Sequence, residues 1–317
     1  MSTRPVCYVC HRPIEGQVYT VGHRTFDAQH FTGLARENRA AAGPLLLAVG
    51  VVVIFTALVA AIVGLGKITF SGPGLVLAGV VLAVVPALVW LVAFYQQDRL
   101  EPEPKRFVLG VYVLGGLFAA AVGQPLIRDV FQVQNWIGDS LLAKLVGAIL
   151  VVGIIQQFLA YAAVRYTVYY SPEFDERVDG IIYGAASGLG YATVLNLQYV
   201  LGNGGVNLGV GAIHVAISAL AQASFAGVMG YFLGRAKFEP MGPFWLPAGL
   251  LIAAVLNGIV SYVLGEVTSL NTTVRASAFN DWYGLIVAVV VAGATFVALF
   301  AVIRRLNAAT LAAAAKA

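Results

Sequence analysis

The chain has 317 residues, of which 60% are hydrophobic and only 11% are charged, and its formal net charge is +4. Soluble domains carry about 25% charged residues, so this composition excludes an ordinary soluble protein. The apolar runs reach the ~20 residues that span a bilayer. The sequence therefore predicts an all-α polytopic membrane protein, with the lipid bilayer as its first partner.

The first 42 residues precede the apolar runs and are predicted to form a small cytosolic module. Cys7 and Cys10 have the two-residue spacing with which one tight turn presents two thiolates to a single ion. Residues 17–26, QVYTVGHRTF, alternate like a short hairpin, and Asp27 and His30 would share one face of a following helix. This segment resembles a LIM or zinc-ribbon half-site, which predicts a bound zinc ion.

The predicted ligands are Cys7, Cys10 and His30, together with either Asp27 or His23. Asp27 stands where such half-sites commonly have a cysteine, and His23 is the alternative. Three of the four histidines and both cysteines fall within the first thirty residues, which favours a metal over incidental surface residues. A cytosolic location argues against a disulfide, and zinc would stabilise a module too small to fold unaided.

The bundle is predicted to occupy residues 43–306 and to be followed by a cytosolic Ala-rich tail at 307–317. Its eight candidate spans are 44–65, 74–95, 107–127, 142–164, 180–201, 208–233, 244–264 and 283–303. Lysine and arginine cluster in alternate loops, which places both termini in the cytoplasm of a bacterial-type inner membrane. Because topology explains the net charge, no nucleic-acid partner is predicted.

Polar side chains concentrate in spans four to seven and are predicted to face one shared interior. Small residues at 180, 184 and 188 form a stripe on span five that would let another helix approach closely. The predicted binding residues of the interior are Gln156, Gln157, Tyr191, Asn196, His214, Gln222, Asn257 and Ser261.

Three segments in order, Gln156-Gln157, FDERVDGIIYGAASGLGYA at 174–192 and GYFLGRAKF at 230–238, resemble the PrsW family of intramembrane metalloproteases. The resemblance covers residues 94–262 and implies a metal-dependent peptidase. The family's two glutamates and its lysine fall on Gln156, Gln157 and Ala160. Its further glutamate and two histidines fall on Leu195, Gln222 and Asn257, so each implied catalytic position is uncharged here.

The loop carboxylates offer a second place for chemistry. The segment around DRLEPEP, at 98–104, and the carboxylates between Glu173 and Asp179 are interpreted as solvated loops, with Asp179 capping span five. His214 is the single histidine in the spans, whereas a catalytic zinc site needs three protein ligands and a water.

We therefore predict a non-catalytic homologue that binds or regulates a membrane-protein or peptide partner. One alternative is an active intramembrane metalloendopeptidase of the PrsW family. A second alternative is a small-solute transporter, although no inverted repeat supports it.

Overall fold

The computed structural model describes residues 5–39, 42–66, 71–98, 100–137, 140–202, 208–264 and 281–316. Within them the elements are β1 (Tyr19–Val21), β2 (Arg24–Phe26), α1 (Ala28–Arg39), α2 (Ala42–Gly66), α3 (Gly72–Tyr95), α4 (Lys105–Phe118), α5 (Val133–Trp136), α6 (Leu141–Val146), α7 (Ile154–Arg165), α8 (Arg177–Gly202), α9 (Leu208–Phe238), α10 (Trp245–Val263) and α11 (Asp281–Ala314). Wider π-helical turns at Ala119–Gly123 and Leu126–Val130 extend α4, and another at Gly147–Gly153 joins α6 to α7.

The chain is an all-α polytopic membrane protein. Seven of the described helical segments are long and apolar enough to cross a membrane. They are Gly43–Ile62, Gly72–Tyr95, Lys105–Trp136, Leu141–Arg165, Gly211–Phe238, Trp245–Val263 and Gly284–Ala314. Seven of the eight predicted spans are thus confirmed as candidate crossings.

The remaining predicted span, 180–201, forms the long helix α8, which is not among these apolar segments. Every residue from Val178 to Ala192 is buried, because α9, α4 and α3 pack around the helix. A helix that other helices shield from lipid does not need a fully apolar surface. The centre of the bundle is therefore α8, and its small residues serve contact with protein.

Close packing between α8 and α9 confirms the prediction from the glycine stripe. A Cβ built on Gly180 would lie 2.2 Å from the Gly230 carbonyl oxygen, and one on Gly184 would lie 2.5 Å from that of Ala226. At Gly188 the nearest atom would be the Gln222 carbonyl oxygen, at 2.4 Å. The stripe lets the two backbones approach to distances that no side chain would allow.

The predicted hairpin and helix of the N-terminal segment are confirmed as β1, β2 and α1. Their small apolar core of Val21, Phe26 and Phe31 is completed by residues from elsewhere, namely Leu100, Leu311 and Ala314. The N-terminal segment therefore packs against the C-terminal end of α11, and both ends of the described chain lie at one end of the bundle. The boundary predicted at residue 307 falls inside α11.

Candidate functional sites

Four buried amide side chains from α7, α9 and α10 form one hydrogen-bond network. Gln156 Oε1 accepts hydrogen bonds from Gln222 Nε2 and Asn257 Nδ2, both at 2.7 Å. Gln222 Nε2 also donates to Asn257 Oδ1 at 2.9 Å, and Gln157 Nε2 donates to Gln222 Oε1 at 3.4 Å. At most 3% of each residue is exposed. Four of the predicted interior residues therefore converge, and we call them the amide network.

Asn196 was predicted to join this interior, and the structure places it elsewhere. Its Nδ2 donates to the backbone carbonyl of Val215 at 3.1 Å, one layer along the α8–α9 contact. His214 stacks on Tyr199 with ring centroids 4.0 Å apart. A backbone carbonyl thus satisfies the Asn196 amide, and the imidazole of His214 packs against a ring.

The other predicted positions are buried or half-buried around α8 and α10. Tyr191 belongs to an apolar cluster with Ala119 and Leu159, against which Leu195 packs. Ser261 is 1% exposed on α10. Because Leu195 packs against this apolar cluster, the implied glutamate position that it occupies has an apolar environment.

The donor set of the amide network does not fit a catalytic metal. Zinc in enzymes is held by imidazole, thiolate or carboxylate groups, and a divalent ion out of water needs such ligands to offset its desolvation. The four amides are neutral, and they already accept and donate to one another. These four residues therefore lack the ligands that a catalytic metal requires.

A second set of side chains converges in the N-terminal segment. Cys7, Cys10, Asp27 and His30 each offer one ligand atom, and these four atoms lie within 4.8 Å of one another. Cys7 Sγ is 3.6 Å from His30 Nδ1, and Cys10 Sγ is 3.7 Å from Asp27 Oδ2. Ligand atoms of tetrahedral zinc lie roughly 3.3–3.8 Å apart. The set has the donor types of a zinc site, with His30 Nδ1 and Asp27 Oδ2 in closer, hydrogen-bonding contact at 2.8 Å. We call it the thiol cluster.

Local structure explains how the thiol cluster forms. The turn after Cys7 is closed by a hydrogen bond from His11 N to Cys7 O, and it brings Cys10 back towards Cys7. Asp27 precedes α1 and accepts a hydrogen bond from His30 N at 2.8 Å, which fixes both side chains on one face of the first turn.

Electrostatics act in opposite directions on the members of the thiol cluster. Hydrogen bonds from the backbone and ring of His30 lower the pKa of Asp27 to about 2. Burial raises the pKa of the Cys7 thiol, but hydrogen bonds from the backbone of Cys10, Asp27 and Val9 outweigh it and lower the pKa overall. A backbone hydrogen bond with Arg12 lowers the pKa of Cys10, but burial and the neighbouring Cys7 outweigh it and raise the pKa overall. The hydrogen bond to Asp27 raises the pKa of His30. Because metal binds thiolate and neutral imidazole, binding would release protons from these two groups.

His23, the alternative fourth ligand, lies outside the thiol cluster. Its Nε2 is 3.2 Å from Asp175 Oδ2, and its backbone N donates to Glu101 Oε2 at 3.2 Å. The preceding Gly22 has φ of 54°, and a Cβ there would overlap the Glu101 carboxylate at 1.6 Å. Of the two candidates, Asp27 occupies the fourth position and His23 joins the N-terminal segment to the loops of the bundle.

A third group of side chains was missed by the sequence interpretation. Asp98, Glu103 and Asp179 are all buried, and each offers a carboxylate oxygen within 4.8 Å of the others. We call them the carboxylate cluster. The Tyr183 hydroxyl donates to Glu103 Oε2 at 2.5 Å, and Glu103 N donates to Asp98 Oδ2 at 2.9 Å. The group lies where the loop before α4 meets the start of α8.

Asp179 lies in the first turn of α8, as the predicted cap role requires, but it is enclosed rather than solvated. Asp179 is 0% exposed, and its Oδ2 accepts hydrogen bonds from Asp175 N at 2.8 Å and Glu176 N at 2.6 Å. The side chain thus binds N–H groups that precede Arg177, the first residue of α8, and it caps the helix from inside the protein. The loops were predicted to be solvated, and three of their acidic residues are instead enclosed. Arg99 of the same predicted loop lies outside the described residues.

Enclosure changes the acidity of these groups. Burial, followed by the charges of Glu176 and Glu103, raises the pKa of Asp98 well above its usual range. Burial and the charges of Glu103 and Asp98 act in the same way on Asp179. The pKa of Glu103 rises to about 7, again chiefly because of burial. At neutral pH the carboxylate cluster therefore needs protons or a cation.

Residues 103–303 match the family described as PrsW family intramembrane metalloprotease. The chain belongs to the PrsW family. Proteins called Protease PrsW from two bacteria illustrate the relationship. The protein of Bacillus subtilis (strain 168) is 27% identical over 205 residues, which cover 64% of this chain and 90% of the relative. That of Geobacillus kaustophilus (strain HTA426) is 31% identical over 182 residues, or 57% and 77% of the two chains. No solved structure matches the chain.

The PrsW match includes some of these sites and excludes others. All four residues of the amide network lie within residues 103–303, as do Glu103 and Asp179. The thiol cluster precedes the matched residues, so the N-terminal segment is an addition in front of the PrsW region.

Proposed function

We propose that this PrsW-family protein does not cleave peptides at the amide network and instead binds a membrane-protein or peptide partner in the bacterial inner membrane. The observation that carries the proposal is the mutual hydrogen bonding of Gln156, Gln222 and Asn257, with Gln157 attached to it. A neutral amide neither donates a pair of electrons to zinc as an anion nor accepts a proton near neutral pH.

A binding role is supported by the polar atoms that the interior leaves without partners. Gln157 Oε1, Ser187 Oγ and Ser224 Oγ are buried and make no hydrogen bond. Each such atom costs about 1–3 kcal/mol, and the backbone N–H groups of an inserted segment could satisfy it. Because these residues are at most 3% exposed, such binding requires helices around them to separate.

We also propose that the thiol cluster holds one zinc ion through Cys7, Cys10, Asp27 and His30. Two thiols, an imidazole and a carboxylate form a complete tetrahedral donor set without a position for a reacting water, as in structural sites. The ion would stabilise the N-terminal segment, which could then present a cytoplasmic surface to a partner.

The competing function is an active intramembrane metalloprotease, and the relatives' name, Protease PrsW, favours it. It requires metal ligands other than the four amides. The test is cleavage of a labelled transmembrane peptide by the full chain in detergent, with the Geobacillus kaustophilus protein as positive control. A Cys7→Ser/Cys10→Ser background removes the thiol cluster as a source of chelator sensitivity.

We expect no cleavage by the full chain in either background. Chelator-sensitive cleavage in the Cys7→Ser/Cys10→Ser background would overturn the proposal. A variant with Gln156→Glu, Gln157→Glu, Gln222→His and Asn257→His restores ionisable groups at the implied catalytic positions. Zinc binding by this variant in the same background would show that the interior has room for a metal ion and that the unaltered chain lacks only the ligands.

A further inference from the structure

The carboxylate cluster combines three acidic groups at one buried point. Asp98 and Glu103 are 3% exposed and Asp179 is 0% exposed. They come from two separate segments, since Asp98 and Glu103 precede α4 whereas Asp179 lies in the first turn of α8. Carboxylates repel one another when ionised, and burial strengthens the repulsion because water no longer screens it. Protons or a cation must therefore compensate the negative charge of three carboxylates held together.

The hydrogen bonds around the cluster orient its carboxylates. The Tyr183 hydroxyl binds Glu103 through Oε2, and two backbone N–H groups bind Asp179 through Oδ2. The other oxygen of each group, Glu103 Oε1 and Asp179 Oδ1, is buried and has no hydrogen-bond partner. Glu103 and Asp179 are therefore each held from outside by one oxygen, and their second oxygens are left to face a shared proton or a cation. This arrangement is typical of metal ligands that are positioned by surrounding donors.

Among the residues that the structure describes, two basic groups act on the carboxylate cluster without a salt bridge to it. Lys237 Nζ is attracted electrostatically by Asp179 and Glu103, but it donates its hydrogen bonds to backbone carbonyls, including Tyr169 O at 2.7 Å. Arg24 acts on Asp98 from the N-terminal segment, where its Nη1 donates to Leu100 O at 3.2 Å. Both cations thus make their hydrogen bonds to backbone carbonyls.

We propose that Asp98, Glu103 and Asp179 bind one divalent cation of the class that prefers oxygen ligands, such as Mg²⁺, Mn²⁺ or Ca²⁺. All three ligands are carboxylates, and such hard donors select these ions over zinc, which prefers nitrogen and sulfur. One divalent cation would compensate two of the three negative charges and use the two unpartnered oxygens. Its role would be to join the loop before α4 to the start of α8. This inference does not depend on the proposed function.

The experiment measures Mn²⁺ binding by electron paramagnetic resonance on the full chain in detergent. The Cys7→Ser/Cys10→Ser background removes the thiol cluster as a competing metal site. We expect one saturable Mn²⁺ per chain, displaced by Mg²⁺ or Ca²⁺. Glu103→Gln should weaken binding at least about tenfold, because a neutral amide replaces an anionic ligand.

The matched control is Glu173→Gln, which removes one negative charge from the neighbouring loop without removing a ligand. It should change the Mn²⁺ affinity less than about threefold, as expected for a screened charge. If Glu103→Gln does not fold, Tyr183→Phe gives an independent reading, because it keeps three carboxylates but releases Glu103. It should also weaken Mn²⁺ binding. Absence of saturable Mn²⁺, or equal effects of Glu103→Gln and Glu173→Gln, would show that the cluster shares protons and binds no cation.

Discussion

Gly180 and Gly230 lie in direct backbone contact across the α8–α9 interface. A Cβ on Gly230 would stand 1.9 Å from the Gly180 carbonyl oxygen, and a Cβ on Gly180 would stand 2.2 Å from that of Gly230. Neither neighbour is a flexible side chain that could move aside. The short distance between α8 and α9 therefore depends on two residues that have no side chains.

Gly230→Ala should destabilise the bundle, because the added methyl group forces α8 and α9 apart. We expect a loss of about 1–3 kcal/mol, the usual cost of overpacking, measured as a lower midpoint of thermal unfolding in detergent. Gly110→Ala is the matched control, since a Cβ there meets nothing within 4 Å. An unchanged midpoint for Gly230→Ala would contradict the close approach of the two helices.

Gln222→Leu should also destabilise the bundle, through a different cause. The substitution removes the donor to Gln156 and Asn257 and the acceptor of Gln157, and it leaves these groups buried. A buried polar group without a partner costs about 1–3 kcal/mol. Thermal unfolding should show the loss for Gln222→Leu and little change for Gln198→Leu, whose side chain is exposed on α8. Equal midpoints for these two variants would refute the network.

The sequence predicted features that depend on local pattern. The glycine stripe predicted the α8 contact, and Gln156, Gln222 and Asn257 were expected to meet because a polar group in a span seeks another. Asn196 was misplaced because a backbone carbonyl, that of Val215, can satisfy an amide equally well, and no sequence pattern specifies carbonyls. Burial also depends on tertiary contacts, which local patterns do not give.

The carboxylate cluster illustrates that limit. Asp98 and Asp179 are separated by 80 intervening residues, and each alone is typical of a solvated loop. Their enclosure follows from the packing of α3, α4 and α8 together. One available signal was the density of acidic residues beside Pro102 and Pro104, which hold the first loop in a fixed turn.

Zinc should bind the full chain at one ion per molecule, detected with a colorimetric chelator after denaturation. Cys10→Ser should lower zinc affinity at least about tenfold, because it replaces a thiolate ligand. His23→Gln is the control and should keep the zinc, since His23 contacts Asp175 and Glu101 instead. The full chain is required because Leu100 and Leu311 complete the core of the N-terminal segment. Zinc loss in His23→Gln would reverse the ligand assignment.

Glu176→Gln should stabilise the protein at high pH. Burial, followed by the charges of Asp175 and Glu101, raises the pKa of Glu176 to about 7 from 4.5. Below about pH 4.5 this group is protonated in both the folded and unfolded states. Between pH 4.5 and 7 the unfolded state loses the proton first, so the folded state becomes progressively less stable as pH rises.

The variant lacks this ionisation, and its gain over the unaltered chain should reach about 1–3 kcal/mol at pH 8 and vanish near pH 4.5. Unfolding midpoints are measured across this range with a chelator present, so that no bound cation contributes. Glu15→Gln, an exposed glutamate, is the charge control. A gain that is larger at pH 5 than at pH 8 would contradict the pKa direction.

The end of the bundle that carries both chain termini should face the cytoplasm. The N-terminal segment contacts Leu311 and Ala314 of α11, so both termini lie at one end of the bundle. A chain whose two ends are on the same side crosses the membrane an even number of times. We therefore expect α8 to cross together with the seven apolar helices.

The basic residues Arg165 and Lys237 lie in the last turns of α7 and α9, and both contact Tyr169. The loop after α7 also meets the N-terminal segment through Asp175 and His23, so this positive charge is at the same end and marks it as the cytoplasmic side.

Single cysteines test this orientation in a chain whose native Cys7 and Cys10 are replaced by serine. Tyr170 is 72% exposed after α7, close to Arg165, and Phe131 is 49% exposed near the other end of the span Lys105–Trp136. A membrane-impermeant maleimide should label Phe131→Cys in intact cells and Tyr170→Cys only after permeabilisation. The reverse pattern would invert the topology. Residues 131 and 170 lie on opposite sides only if Leu141–Arg165 crosses the bilayer. Labelling of both positions in intact cells would therefore show that this segment does not cross.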